Sequence, residues 1–323
     1  MRSKLIRRLL MRVRIIRWIR GLNSRINLAL LQKPSHLETQ AAILASRTRY
    51  PSLNLLSDAD VKIYSQWGED GILDYLCDCL GVERPKVLEV GAGNFTECNS
   101  RFLVEFRNAS ATLVDANTNL EKNVKESDLF WKTHLYAITK WVSTSNINSI
   151  INTANQQMGG LDVFSLDLDG NDYWILKEAD LGDTKIVVVE YNSIFGSEIS
   201  VSVPKDERFD RTQKHFSWLY YGANLKAYVD LLKSKGFIFV GTNRVRSNAF
   251  FVRNDQISRV SIEIPTSLTN FIDCKIRESR DELGKMSYLD LAHGYELIKD
   301  ELVIDLERQI EVRLGSLSLG SDT

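Results

Sequence analysis

Seven short apolar runs, all but the last two separated by segments of helical length, constrain this 323-residue chain more than any other feature. The runs lie at 86–90, 111–115, 134–142, 163–167, 186–190, 237–240 and 248–252, with helical periodicity near 101–107, 119–125, 147–157, 173–178 and 223–234. Strands alternating with helices imply a parallel sheet covered by helices on both faces. Only residues 241–247 join the last two runs, too few for a helical crossover, so that pair is expected to be antiparallel. The expected fold class is α/β, mostly parallel, with an antiparallel last strand pair.

The flanks differ from this block. Residues 1–33 hold ten Lys or Arg and no acid, leaving 31 of the 41 basic residues to face all 42 acidic ones over the remainder. A basic arm is joined to an acidic body, and an acidic body with dispersed basic residues argues against nucleic acid as a partner. No apolar run approaches the ~20 residues of a membrane span. Over residues 1–25, Leu5, Ile6, Leu9, Leu10, Val13 and Ile16 share one helical face, while Lys4, Arg7, Arg8, Arg12 and Arg14 fall largely on the other. Such a segment suits peripheral contact with an anionic membrane face; an arm packed on the acidic body and an organellar targeting peptide are the alternatives. Residues 26–60 read as a linker with short helical pieces, 61–255 as the main domain and 256–323 as a C-terminal extension with an acidic helix over 294–314. A helical stripe from Ile63 through Trp67, Ile72, Leu73, Leu76 and Leu80 precedes the first strand and stops at Gly81. Four cysteines without disulfide or zinc spacing fit a reducing, cytoplasmic setting.

Two stretches carry chemistry. In the first, Glu89-Val90-Gly91-Ala92-Gly93-Asn94-Phe95 ends the first strand in a glycine turn that lets a ligand approach the backbone. A third glycine, which a pyrophosphate-binding turn uses at the helix start, is absent, and NAD and FAD are disfavoured. S-adenosylmethionine has no phosphate to cradle. Its site needs an acid ending the first strand, small residues in the turn, and a second acid for the ribose hydroxyls. Glu89, Gly91, Gly93 and Asp115, the last 22 residues past Gly93 at the end of the second run, meet those needs.

The second stretch, Ser165-Leu166-Asp167-Leu168-Asp169-Gly170-Asn171-Asp172, delivers carboxylates at the fourth strand's end, with Asp167 and Asp169 on one side. The neighbouring fifth strand should bring Glu190 and Asn192 to the same rim. Asp167 and Asp169 are therefore candidate bases, and Asp169, Glu190 and Asn192 candidate ligands for a divalent cation such as Mg²⁺. Turn and helix capping is the alternative use of the same residues. His215 lies in a loop rich in Asp, Arg and aromatic residues, suited to a lid over a polar substrate, and is a further candidate base.

The strings Tyr64-Ser65-Gln66-Trp67-Gly68-Glu69-Asp70-Gly71-Ile72, the glycine turn, Ser165 to Trp174, Val189-Glu190-Tyr191-Asn192 and Asn248-Ala249-Phe250-Phe251-Val252 resemble the bacterial FkbM-related methyltransferases. The resemblance spans about residues 60–255. It implies a Rossmann-like class I methyltransferase sheet, S-adenosylmethionine as cofactor, and O-methylation of sugar hydroxyls in polysaccharide or natural-product pathways. Gly91, Gly93 and Asp115 would then bind cofactor, and Asp167-Leu168-Asp169-Gly170 would match the family's fourth-strand motif. One departure follows the second glycine: Asn94 and Phe95 stand where an acid and a glycine are expected, placing an aromatic ring near the cofactor's methionine end. The expected function is an S-adenosylmethionine-dependent O-methyltransferase with a sugar or glycan acceptor. A non-catalytic binding module of the same fold, serving glycan assembly, is the alternative.

Overall fold

The computed structural model of the protein describes residues 50–317, all within one compact unit. The expected basic helix over 1–25 and most of the 26–60 linker lie outside the described residues. Strands β1 (Lys86–Val90), β2 (Ser110–Asp115), β3 (Leu135–Thr139), β4 (Val163–Leu166) and β5 (Ile186–Glu190) come first. After the short β6 (Val201–Ser202) follow β7 (Phe237–Thr242) and β8 (Asn248–Arg253). Seven of these form one sheet in the order β3-β2-β1-β4-β5-β8-β7, with β6 outside it. Strands β1 to β5 are mutually parallel, and β8 runs antiparallel to both β5 and β7. This is the class I methyltransferase strand order. Helices cover both faces, so β4 and most of β1 and β5 are buried and read as nearly continuous apolar runs.

Chain order reverses between β1 and β4, which opens a crevice beyond their carboxyl ends. The helices that fix its walls are α1 (Glu69–Cys79), α2 (Arg101–Arg107), α3 (Leu120–Glu126), α4 (Ile147–Met158), α5 (Asp172–Glu178), α6 (Arg211–Lys214) and α7 (Leu225–Ser234). Helix α4 shows how local chemistry sets such bounds. Its apolar stripe, Ile147, Ile150, Ile151 and Ala154, is buried, and Gly159 ends it at φ 69°, donating its N–H to the Asn155 carbonyl.

Three sequence expectations are corrected. The helical stripe begins at Glu69 and not near Ile63, because Gly68 sits at φ 101° and the N–H groups of residues 63–65 fold onto the Asp70 carboxylate. The third strand stops at Thr139, short of the expected 142. In place of one helix over 294–314 there is α8 (Leu291–Ile298), then a hairpin of β9 (Leu302–Asp305) and β10 (Ile310–Arg313). The turn explains that break: Asp305 Oδ1 accepts the N–H groups of Glu307 and Arg308, and Gln309 takes φ 58°. Strand β9 also pairs with β6 in a second, three-stranded sheet. A separate apolar cluster containing Phe195, Val201, Phe209, Tyr220, Ile298 and Val303 ties this sheet to residues 193–221. That loop region therefore rests on a built foundation at the crevice mouth.

Candidate active site

The two glycines after β1 have different duties. At Gly91 (φ 94°) a Cβ would stand 1.6 Å from the Asp167 carbonyl oxygen, so the strand ends can approach this closely only without a side chain. At Gly93 (φ 57°) a Cβ would meet nothing within 4 Å, although the residue lines a cavity. The missing side chain there leaves ligand space. Asp115 is held at the rim: Oδ2 accepts Gly93 N–H and Oδ1 accepts Asn117 N–H, both at 2.7 Å. Glu89, deeper, accepts the N–H groups of Asn99 (2.7 Å) and Ser100 (2.9 Å) at its two oxygens, and burial raises its pKa. Phe95 follows the second glycine by two residues. It is buried with positive φ, its ring 5.8 Å from the Arg101 guanidinium, and it is absent from the lining.

Two cavities occupy the crevice. The first, of about 390 Å³, is lined by Glu89, Gly91, Gly93 and Asp115, and also by Trp141 and Phe209. The second, of about 150 Å³, is lined by Glu190, Trp67, Arg211, Trp218 and Tyr221 among others. Gln66, Asp167 and Asp169 line both. The shared wall is built by β4 and the turn after it. Asp167 extends the ladder by donating its N–H to the Val90 carbonyl (2.9 Å), and Asp172 accepts the N–H groups of Leu168 (2.7 Å) and Gly170 (2.9 Å). Asp169 is turned into the left-handed region at φ 55°.

Asp167, Asp169 and Glu190 bring carboxylate oxygens within 4.8 Å of one another. Burial and mutual carboxylate repulsion push the pKa values of Asp167 and Glu190 up, whereas the Asp169 side chain is half exposed. Arg211 opposes the rise: Nη1 lies 2.5 Å from Asp169 Oδ1 and Nη2 lies 3.6 Å from Glu278 Oε2. Its guanidinium also sits 5.1 Å from the Tyr221 ring and 5.9 Å from that of Trp218.

Asn192 lines the second cavity together with Asp167, Asp169 and Glu190. Its Nδ2 donates to the carbonyls of Leu219 (2.8 Å) and Tyr221 (3.0 Å), and Oδ1 accepts Ile194 N–H (3.0 Å), so its amide holds the loop. His215 lines neither cavity: Nδ1 faces Ser217 Oγ at 2.7 Å, and burial lowers its pKa. Arg211, Gln66, Trp141, Phe209 and Trp218 were not singled out by spacing. The only sequence signal for Arg211 was its place in the Asp- and Arg-rich loop.

No family model matches the sequence, and no curated protein matches it. Among solved structures, the fibrillarin pre-rRNA processing protein of Methanococcus jannaschii is similar, with 13% identity and a TM-score of 0.35 over 53% of this chain and 67% of that one. An O-methyltransferase family protein from Burkholderia thailandensis gives 11% and 0.34 over 58% and 59%. An O-methyltransferase family 2 protein from Planctomyces limnophilus, in complex with apigenin, gives 12% and 0.32 over 68% and 61%. The chain thus spans less than two thirds of the last two. Likeness at this level carries no argument about activity, and the strand order stands by itself as the description of the fold.

Proposed function

We propose that the protein is an S-adenosylmethionine-dependent O-methyltransferase with a sugar or glycan-type acceptor. The observation that carries this reading is the pair of cavities meeting at Asp167 and Asp169, one with adenosyl-type determinants and the other with carboxylates and aromatic faces. The residues of the first cavity fit the cofactor. Gly93 leaves its outer side open, Asp115 presents a carboxylate for ribose hydroxyls, and Trp141, Val142 and Ile175 give a partly apolar wall for a purine. When bound, the cofactor supplies an electrophilic methyl group on a sulfonium.

The chain's own residues then do four things. Trp67, Trp218 and Tyr221 offer aromatic faces to an acceptor ring. Asp167 takes the hydroxyl proton; its raised pKa makes the ionised form a stronger base than an exposed carboxylate. Arg211 pairs with Asp169 and limits the charge that collects when Asp167 is deprotonated. Phe209, packed over Gly170, shields the shared wall from water.

Asp167, Asp169 and Glu190 would also be the residues to hold Mg²⁺, which would acidify a bound hydroxyl. Because Arg211 already supplies a positive charge there, transfer is expected to proceed in EDTA at the rate seen with Mg²⁺. The test is transfer of labelled methyl from S-adenosylmethionine to a series of glycosides, with and without chelator. Label in a sugar ether in both conditions supports the reading, loss in EDTA restored by Mg²⁺ assigns Arg211's role to a cation, and no label in any glycoside contradicts the acceptor class.

A further inference from the structure

Of the stretch Tyr64-Ser65-Gln66-Trp67-Gly68-Glu69-Asp70 only Trp67 enters the chemistry above, yet nearly every residue in it has a fixed task. Asp70 Oδ2 accepts backbone N–H groups from Ile63 (2.7 Å), Tyr64 (2.6 Å) and Ser65 (2.9 Å), folding the chain onto the start of α1. Ser65 Oγ accepts Asp70 N–H in return, at 3.2 Å. Buried Glu69 accepts Trp67 N–H (2.8 Å) at one oxygen and the side-chain amides of Asn243 and Asn248 (both 2.7 Å) at the other. Gly68 is positioned where a Cβ would stand 2.0 Å from Asp60 Oδ1. Tyr64 donates its hydroxyl to Glu105, and the Arg101 guanidinium lies 4.6 Å from its ring.

Gln66 is the exception. It is exposed between these anchors, its carboxamide has no hydrogen-bond partner among the described residues, and it lines both cavities beside Asp167 and Asp169. Backbone fixed on both sides with a free polar end is how a rigid scaffold presents a recognition group. A carboxamide both donates and accepts, which suits two neighbouring hydroxyls better than a single charge.

We propose that Gln66 is an acceptor-binding residue that grips hydroxyls of a sugar-type ring in the second cavity and so directs one hydroxyl toward Asp167. The proposal rests on the methyltransferase reading. Its test uses the full chain, with saturation-transfer NMR of a series of methyl glycosides on wild type and Gln66→Ala. The variant is expected to bind glycosides roughly 10-fold more weakly and to raise the acceptor KM by a similar factor. Its melting temperature should not change, since Gln66 makes no internal bond, and although Gln66 also borders the first cavity its calorimetric affinity for S-adenosylhomocysteine should hold, because Glu89, Gly93 and Asp115 are the residues proposed to bind the adenosyl group. Three results overturn the proposal: unchanged glycoside binding in Gln66→Ala, a loss matched by weaker S-adenosylhomocysteine binding or lower melting temperature, or no glycoside binding by wild type. A wild type that binds glycosides without transferring methyl defeats the methyltransferase reading and leaves the Gln66 contact to be judged by NMR alone.

Discussion

Asp167→Asn is expected to slow methyl transfer by roughly a thousandfold while raising the melting temperature at pH 8. The first effect follows from removing the proton acceptor on the wall between the cavities. The second follows from linkage. Burial, and then the neighbouring Asp169, raise the Asp167 pKa above its unfolded value. Between that unfolded value, about 4, and the higher folded one, the native state binds more protons than the unfolded state. Stability contributed by this site therefore falls as pH rises through that window. Asparagine has nothing to ionise, so the variant's advantage should be near zero at pH 4 and grow toward pH 8. Thermal denaturation of both proteins across this range checks it, and an advantage independent of pH would show that the Asp167 carboxyl is not strained by its surroundings. Such a site trades stability for basicity.

Gly91→Ala should cost roughly 3 kcal/mol or more, the combined expense of an unfavourable backbone conformation and forced overpacking. A Cβ 1.6 Å from the Asp167 carbonyl cannot be relieved by a rotamer change, because the opposing atom is main chain. The strand ends of β1 and β4 must separate, taking the Asp167 carboxylate with them. Urea denaturation measures the loss. Gly93→Ala is the informative contrast. Its φ of 57° carries only the left-handed penalty, about 1–2 kcal/mol, and nothing opposes its methyl. It should stay folded and lose cofactor affinity, because the methyl enters the first cavity. If instead Gly91→Ala proved as stable as Gly93→Ala, the close approach of the strand ends would not hold in solution.

The sheet was legible because both of its signals are local. Runs alternating with helical segments fixed the parallel part, and residues 241–247, of which 243–247 form the connection, could hold only a hairpin. Helix termini that depend on distant partners were not. The start of α1 hinges on Asp70 folding residues 63–65 over itself, and the hairpin after α8 needs β6 as an outside neighbour for β9. Within residues 300–314, Leu302, Val303, Ile304, Leu306, Ile310, Val312 and Leu314 are so interleaved with charges that the pattern does not separate two short strands from one helix. The site divides in the same way. Glu89, Asp115, Asp167 and Glu190 sit at strand ends, where position along the chain translates into position in space. Arg211, at the start of the short α6, and Gln66, in a loop, are placed by contacts with Glu278, Asp70 and Asn243, which no spacing rule records. Phe95 likewise takes a positive φ and sets its ring near the Arg101 guanidinium, a placement that its position after a glycine turn does not record.

Calorimetric titration of the full chain with S-adenosylmethionine, alongside Asp115→Ala and with NAD as control, tests the central claim most directly. Asp115 lines the first cavity, and its two oxygens hold only one backbone N–H each, so its removal should change little but the cofactor contact. The account predicts saturable binding to wild type, none detectable with NAD, and affinity at least roughly 10-fold lower in Asp115→Ala. Binding of S-adenosylmethionine that Asp115→Ala leaves unchanged, or no binding to wild type at all, would contradict it.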